Sequence, residues 1–181
     1  MSRLPIPAFE TAPEASKPLL TAVKEQLGVI PNLFRLVGLS PNTLGGFLGL
    51  HGALSKTLDV KTRERIALVV AQVNGCDYCL SAHTYLGLNL AKIDEVEIAK
   101  NRAGTSADAK AAVAVAFAKR VAEARGKVSA ADISAVRLAG FTDAEIVDIV
   151  GVVAVNFLTN LVNNVAETDI DFPVVRASQA A

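Results

Sequence analysis

The chain has few of the residues that most often carry chemistry. Its 181 residues include two cysteines, two histidines, one methionine and two tyrosines, and no tryptophan. Lysine plus arginine and aspartate plus glutamate number 18 each, so the formal net charge is zero. A neutral chain has no electrostatic reason to bind nucleic acid or an anionic membrane surface, and we expect neither as a partner.

Long apolar runs are also missing. The most apolar stretch, residues 146–162, is interrupted by Asp148, Asn156 and Asn160, and its longest unbroken run is residues 149–155. A membrane-spanning helix needs about 20 predominantly apolar residues. Residues 1–10 (MSRLPIPAFE) contain no apolar core of signal-peptide length. We therefore expect a cytoplasmic protein.

No stretch shows the alternation of apolar and polar residues that is typical of a β-strand. Hydrophobic residues still make up 51% of the chain, much of it alanine and valine, which suits closely packed helices. Helix start signals recur, including Ser40 or Asn42 as a cap and a capping box formed by Thr142 and Glu145. The sequence predicts a single all-α domain over residues 1–181.

Both cysteines and one histidine lie in one stretch, residues 64–83 (ERIALVVAQVNGCDYCLSAH). The Asn-Gly pair at residues 74–75 is a helix-stop signal, so the stretch predicts two helices that form a hairpin. In the second helix, Cys76, Cys79 and His83 have the spacing i, i+3, i+7, which places them on one face. The two sulfurs are then close enough to form a disulfide.

Glu64 belongs to the same predicted site. In an antiparallel hairpin it lies opposite a position near Tyr85, about half a turn from His83. Carboxylate, imidazole and thiol would then align as Glu64, His83 and Cys79. A free thiol is only about 3% ionised at pH 7, and both a helix N-terminus and a basic imidazole favour the thiolate. The alternative is that Glu64 is a surface carboxylate paired with a neighbouring basic residue.

The Cys-x-x-Cys pair has several interpretations. A thioredoxin-like domain needs a strand before the motif, and haem attachment needs a histidine where Leu80 stands. Zinc could bind both cysteines with His83 and Glu64, although structural zinc sites usually draw on two separate pairs of ligands. Redox chemistry needs only the pair, an activating base and access, and inert buried thiols are the last alternative.

The spacing of these residues resembles a known family signature. Glutamate, eleven residues, Cys-x-x-Cys, three residues and histidine is the pattern of the alkyl hydroperoxidase D branch of the carboxymuconolactone decarboxylase superfamily. Its four positions are matched here by Glu64, Cys76, Cys79 and His83. The resemblance, closest to the peroxidase-related subgroup, extends through residues 30–34 (IPNLF), 63–68 (RERIAL) and 140–150 (GFTDAEIVDIV).

This resemblance implies a helical bundle with the motif on a central αα-hairpin, and a thiol peroxidase activity. Cys79, activated by His83 and Glu64, would attack the peroxide, and Cys76 would resolve the sulfenic acid as a disulfide. Tyr78 stands where the best-known members carry a second histidine. It either packs as an ordinary aromatic residue or lends its hydroxyl to the thiol site.

The resemblance also implies partners. We expect an organic hydroperoxide or hydrogen peroxide as substrate and a dithiol reductant, with a lipoyl-bearing protein as the candidate. No metal or organic cofactor is required. A homo-oligomer, either a trimer or a hexamer, is implied as well, and the high hydrophobic content favours assembly. Two other functions stay open: a lactone decarboxylase of the same superfamily, and a non-enzymatic redox sensor or zinc-binding protein.

Two further polar features need an explanation. We interpret His51 as a polar residue in a helix interface rather than a ligand. The last helix carries an asparagine stripe, Asn156, Asn160, Asn163 and Asn164, whose buried amides must be hydrogen-bonded. We expect a polar network at a helix or subunit interface, with Asn160 and residues 4–13 at the contact between subunits.

Overall fold

Helices account for the regular structure of residues 1–177, the part of the chain that the computed structural model describes. Two 3₁₀ turns at Phe9–Thr11 and Glu14–Ser16 come first, and no strand occurs in this part of the chain. The helices are α1 (Lys17–Leu27), α2 (Asn32–Val37), α3 (Pro41–Leu54), α4 (Val60–Val73), α5 (Asp77–Asn89), α6 (Glu95–Ala103), α7 (Ala109–Glu123), α8 (Ala130–Leu138) and α9 (Asp143–Ala166). The all-α prediction is confirmed.

Side-chain caps begin most of these helices. Ser40 accepts a hydrogen bond from the Thr43 amide at the start of α3, and Thr142 forms a complete capping box with Glu145 at the start of α9. Such caps satisfy amides that have no partner inside the helix. Gly28 ends α1 in the left-handed region, with φ 78°. These helix boundaries were therefore predictable from sequence.

Helix α4 is the centre of the fold and contacts α5, α6, α7 and α9. Its middle is apolar on every side: Ile66, Leu68, Val69, Val70 and Ala71 are all 0% exposed. A helix that is hydrophobic all round must be surrounded by other elements, and this one is. The hairpin partner of α4 is α5, so the Cys-x-x-Cys motif begins at the middle of the bundle.

Helix α9 is long and apolar enough to cross a membrane by those two criteria alone. It packs against α3, α4 and α7, and its buried face includes Ile149, Val152 and Val153. The approach to α3 is close, since a Cβ on Gly151 would lie 3.0 Å from Cδ2 of Leu54. The apolar character of α9 is therefore explained by its place in the core.

The N-terminus lies against the end of α9 and the residues that follow it. The amide of Arg3 donates to the carbonyl of Ala166 over 2.6 Å, and the amide of Ser2 donates to Asp169 over 3.2 Å. Ala12 is buried in the core of the same chain. The N-terminal segment thus packs on its own chain, and its expected contact with a neighbouring subunit stays a prediction. Residues 168–177, the C-terminal strap, then pass α2 and continue along α5.

Candidate active site

The motif cysteines are placed by the turn between α4 and α5. Gly75 adopts the left-handed conformation, with φ 61°, and the Cys76 amide donates to the carbonyl of Ala71 over 2.9 Å. Cys76 is the N-cap of α5, and its sulfur accepts the Cys79 amide over 3.4 Å. Both thiols are free and buried. Cys79 therefore lies in the first turn of a helix, where the helix dipole favours negative charge.

Glu64 on α4 and His83 on α5 are in direct contact. Oε2 of Glu64 lies 2.8 Å from Nδ1 of His83, and their side chains are only 13% and 22% exposed. Burial disfavours the imidazolium, but the neighbouring carboxylate outweighs it and raises the pKa of His83. The contact that the hairpin register predicts is thus present, and it favours the protonated form of His83.

The pKa values of the two thiols are shifted in opposite directions. A hydrogen bond from Cys76 lowers the pKa of Cys79 to about 6, against the effect of burial, and the charge of His83 acts in the same direction. The same hydrogen bond, with burial, raises the pKa of Cys76. Cys79 is therefore ionised at neutral pH, while Cys76 keeps its proton and donates a hydrogen bond to the Cys79 sulfur.

The asparagine stripe of α9 faces this site. Nδ2 of Asn163 lies 3.3 Å from Sγ of Cys79, and Asn156 hydrogen-bonds His83 and so favours its protonated form. Asn160 is 0% exposed and accepts a hydrogen bond from Asn74 over 2.9 Å. The expected helix-interface network is present, whereas the expected subunit contact at Asn160 is wrong because Asn160 lies inside the chain.

Cys79, His83 and Glu64 line one cavity of about 230 Å³. Its wall is otherwise mainly apolar, with contributions from α2, α3, α5, α9 and the C-terminal strap. These apolar residues include Leu33, Phe34, Phe47, Leu86, Val152, Val155 and Phe172. The cavity gives an apolar molecule access to the buried thiol, which is the property that inert core cysteines lack.

Two polar residues, His51 and Arg63, line the cavity although the sequence did not place them at the site. His51 lies on α3 in the wall of the cavity rather than in a helix interface, with its ring 5.8 Å from that of Phe47. Desolvation, and then the charge of His83, lower its pKa. Arg63 joins it in the wall. No sequence signal singled out either residue for the site. His51 reaches it because the fold brings α3 over the hairpin, whereas Arg63 lies on α4 next to Glu64.

Tyr78 lines the cavity, but its hydroxyl is bonded elsewhere. The hydroxyl accepts the Leu33 amide over 3.0 Å and donates to Oδ1 of Asp171 over 2.8 Å. Burial raises its pKa. Its ring meets Phe172 edge to face at 5.8 Å. Tyr78 thus joins α5 to α2 and to the C-terminal strap.

A cluster of metal ligands was one alternative for the motif. Within residues 1–177, no group of three or more histidine, cysteine, aspartate or glutamate side chains has the arrangement to hold a metal ion.

Comparison with known proteins gives consistent matches. Residues 41–124, from α3 to the end of α7, match the carboxymuconolactone decarboxylase family. A peroxidase-related protein from Ralstonia eutropha JMP134, with an alkylhydroperoxidase AhpD core, is 26% identical, with a TM-score of 0.83 over 94% of this chain and 92% of that one. A peroxidase-related protein from Silicibacter sp. TM1040 is also 26% identical, with a TM-score of 0.80 over 93% of this chain and 91% of the other.

A third structure shares the fold alone. The debrominase Bmp8 is 18% identical, with a TM-score of 0.74 over 94% of this chain and 91% of its own. None of the curated proteins compared with the chain matches it.

Proposed function

Since the chain belongs to the carboxymuconolactone decarboxylase and alkyl hydroperoxidase D superfamily, we propose that it is a thiol-dependent peroxidase. The observation that carries the proposal is the environment of Cys79. This thiol is buried, has a pKa of about 6 and shares an apolar cavity with the Glu64–His83 pair. A low-pKa thiol with access to a cavity is what reaction with a peroxide requires.

In the first step the Cys79 thiolate attacks one oxygen of the hydroperoxide and the O–O bond breaks. Cys79 is oxidised to the sulfenic acid, and the other oxygen leaves as an alcohol with a proton. His83 is the proton donor, since Glu64 contacts its Nδ1 and raises the pKa of the ring. The apolar cavity favours an organic hydroperoxide over hydrogen peroxide.

In the second step Cys76 attacks the sulfur of the sulfenic acid. A disulfide forms and water leaves, which accounts for both oxygens of the substrate. The hydrogen bond that kept the proton on Cys76 requires the Cys79 thiolate. Oxidation removes that charge, so Cys76 loses its reason to stay protonated as it becomes the nucleophile. A dithiol, with a lipoyl-bearing protein as the candidate, then reduces the disulfide in the cytosol.

Thiol counting before and after one equivalent of an organic hydroperoxide tests this cycle. We expect two thiols to disappear, and the mass to fall by two hydrogens. In Cys76→Ser the product should stop at a sulfenic acid on Cys79, which a dimedone-type reagent can trap. Sulfenic acid found on Cys76 in Cys79→Ser, and never on Cys79, would reverse the two roles.

The decarboxylase activity of the superfamily is the second candidate, because the family match at residues 41–124 is to carboxymuconolactone decarboxylases. The double variant Cys76→Ser/Cys79→Ser separates the two. A lactone decarboxylase would keep its activity without either sulfur, whereas the peroxidase would lose all of it. Metal analysis of the same preparations tests the zinc-binding alternative.

A further inference from the structure

The asparagine stripe of α9 reaches the reactive sulfur at Asn163, and Asn160 lies about one turn before it on the same helix. We call these two residues the amide pair. Nδ2 of Asn163 is 3.3 Å from Sγ of Cys79, within hydrogen-bond range for sulfur. Asn163 is 2% exposed and Asn160 is 0% exposed. Neither residue belongs to the Glu64, Cys76, Cys79, His83 motif.

The orientation of the Asn160 amide is fixed by a hydrogen bond to its oxygen. Its Oδ1 accepts a hydrogen bond from Nδ2 of Asn74 over 2.9 Å, and Asn74 in turn is held by Asn164, which donates to its carbonyl over 2.9 Å. With its oxygen occupied, the amide of Asn160 can offer only its nitrogen to the site. That nitrogen is buried and makes no hydrogen bond to any atom of residues 1–177, the Cys79 sulfur included.

An unpartnered buried donor is unusual in a native protein and needs an explanation. A negatively charged sulfur supplies one, because an anion is the strongest available acceptor for an amide N–H. The amides of both Asn160 and Asn163 act to lower the pKa of Cys79. Their donors are already in place before the thiol ionises, so no rearrangement is needed when the charge appears.

The side-chain oxygen of Asn163 is a buried acceptor, as the nitrogen of Asn160 is a buried donor. This oxygen, Oδ1, has no hydrogen-bond partner within residues 1–177. Once Cys79 carries an oxygen, the sulfenic acid hydroxyl brings a donor to this region of the cavity. One amide therefore has a donor for the thiolate and an acceptor for the oxidised product.

Resting on the peroxidase proposed above, we infer that Asn163 is a catalytic residue which stabilises the Cys79 thiolate by direct hydrogen bonding, with Asn160 as a second donor to the same sulfur. The pair works alongside His83. The imidazolium contributes charge from α5, and the amides contribute oriented dipoles from α9.

The test measures the pKa of Cys79 by the pH dependence of iodoacetamide alkylation, with no peroxide present. A Cys76→Ser background leaves one thiol and keeps a hydroxyl donor at position 76. Asn163→Leu and Asn160→Leu, made separately, should each raise the pKa by about one unit, because a charge-assisted hydrogen bond is lost. From a starting pKa of about 6, that shift slows alkylation at pH 6 about fivefold.

Thr159→Val is the matched control. Thr159 is on the same helix, is 6% exposed and bonds the Asn156 carbonyl rather than the sulfur. Its substitution also replaces a buried polar group by an apolar one, yet it should leave the alkylation profile unchanged. Circular dichroism and thermal unfolding verify that each variant is folded. If one asparagine variant fails to fold, the other still provides the test.

Alkylation profiles of both asparagine variants that overlay the parent would overturn the inference. Because the profile needs no peroxide, it is independent of the proposed function. A protein that shows the pKa shifts but consumes no hydroperoxide would retain the amide pair and refute the peroxidase. Slower peroxide reduction in the asparagine variants, in proportion to their loss of thiolate at each pH, would support both.

Discussion

At the scale of single residues, the reactivity of this site depends on which atoms carry protons. Glu64 raises the pKa of His83 and so favours its protonated form, and Cys76 retains the proton that Cys79 loses. The Cys79 thiolate therefore shares its cavity with an imidazole whose cationic form is favoured. The pair has the charge state that nucleophilic attack and leaving-group protonation both need.

Removing the imidazolium gives the first residue-scale prediction. In His83→Gln, the cation that favours the Cys79 thiolate is lost, so the pKa rises from about 6 and the alkylation midpoint moves to higher pH. We expect a shift of about one unit and a corresponding loss of peroxide reduction below neutral pH. The alkylation profile measures it directly.

Glu64→Gln should also raise the pKa of Cys79, by less than His83→Gln does. Without the carboxylate the pKa of His83 falls, so the ring loses its proton at a lower pH. The imidazolium then stabilises the thiolate over a narrower range of pH. If His83→Gln has the same alkylation profile as the parent, the imidazole has no part in activating the thiol.

At the scale of elements, the C-terminal strap holds the cavity wall in place. Asp171 accepts hydrogen bonds from the Tyr78 hydroxyl and from the Asn32 amide, each over 2.8 Å. Further along, the amide of Val175 donates a hydrogen bond to Oγ of Ser81 over 2.9 Å. Phe172 covers the cavity between these attachments. The strap thus closes one side of the site by fastening α2 to α5.

Tyr78→Phe tests this attachment and the alternative role of Tyr78 at the thiol. The change leaves the buried Leu33 amide without its acceptor, so we expect a loss of about 1–3 kcal/mol in the free energy of unfolding by urea. The alkylation pKa of Cys79 should stay the same, since the hydroxyl is bonded to α2 and the strap. A raised pKa would mean instead that Tyr78 contributes to the thiol site.

Tyr85→Phe is the control for that variant. Its ring also contacts Phe172, at 5.9 Å, but the residue is 44% exposed. Removing a hydroxyl that faces solvent should change the free energy of unfolding by less than about 0.5 kcal/mol.

The helices and the motif contact were predictable, while the surroundings of the motif were not. Ser40, Thr142 and Gly28 are local signals, and the Glu64–His83 contact follows from the register of one hairpin. The position of Asn163 against Cys79 depends on how α9 crosses that hairpin, 84 residues further along the chain. The spacing of the stripe indicated a buried face, but periodicity alone cannot identify what a face packs against.

At the scale of the whole molecule, α9 has a second face that the described part of the chain, residues 1–177, leaves uncovered. Val147, Val150, Leu158, Leu161 and Val165 are 36–70% exposed and recur at intervals of three, four or eight residues. Apolar residues at such intervals form a continuous stripe along a helix. A second copy of the chain is the partner we propose for it, in a trimer or hexamer. The subunit contact is thus moved from the asparagine face to the opposite face.

Leu161→Glu combined with Val165→Glu tests this assembly. Two charges in an apolar contact should convert the oligomer to a monomer, as measured by sedimentation velocity at micromolar concentration. Val96→Glu is the control, because Val96 is 69% exposed but lies on α6, away from the stripe. A parent protein that sediments as a monomer contradicts the proposal.

The unequal proton affinities of the two thiols also have an electrochemical consequence. Above a pH of about 6 the reduced pair already carries one negative charge, so reduction of its disulfide takes up two electrons with one proton. The midpoint potential should then fall by about 30 mV per pH unit, half the slope expected at lower pH. Equilibration with a thiol redox buffer at several pH values measures this slope. An acidification of the surrounding solution would therefore shift the balance between the disulfide and the dithiol less than it shifts that of an ordinary cysteine pair.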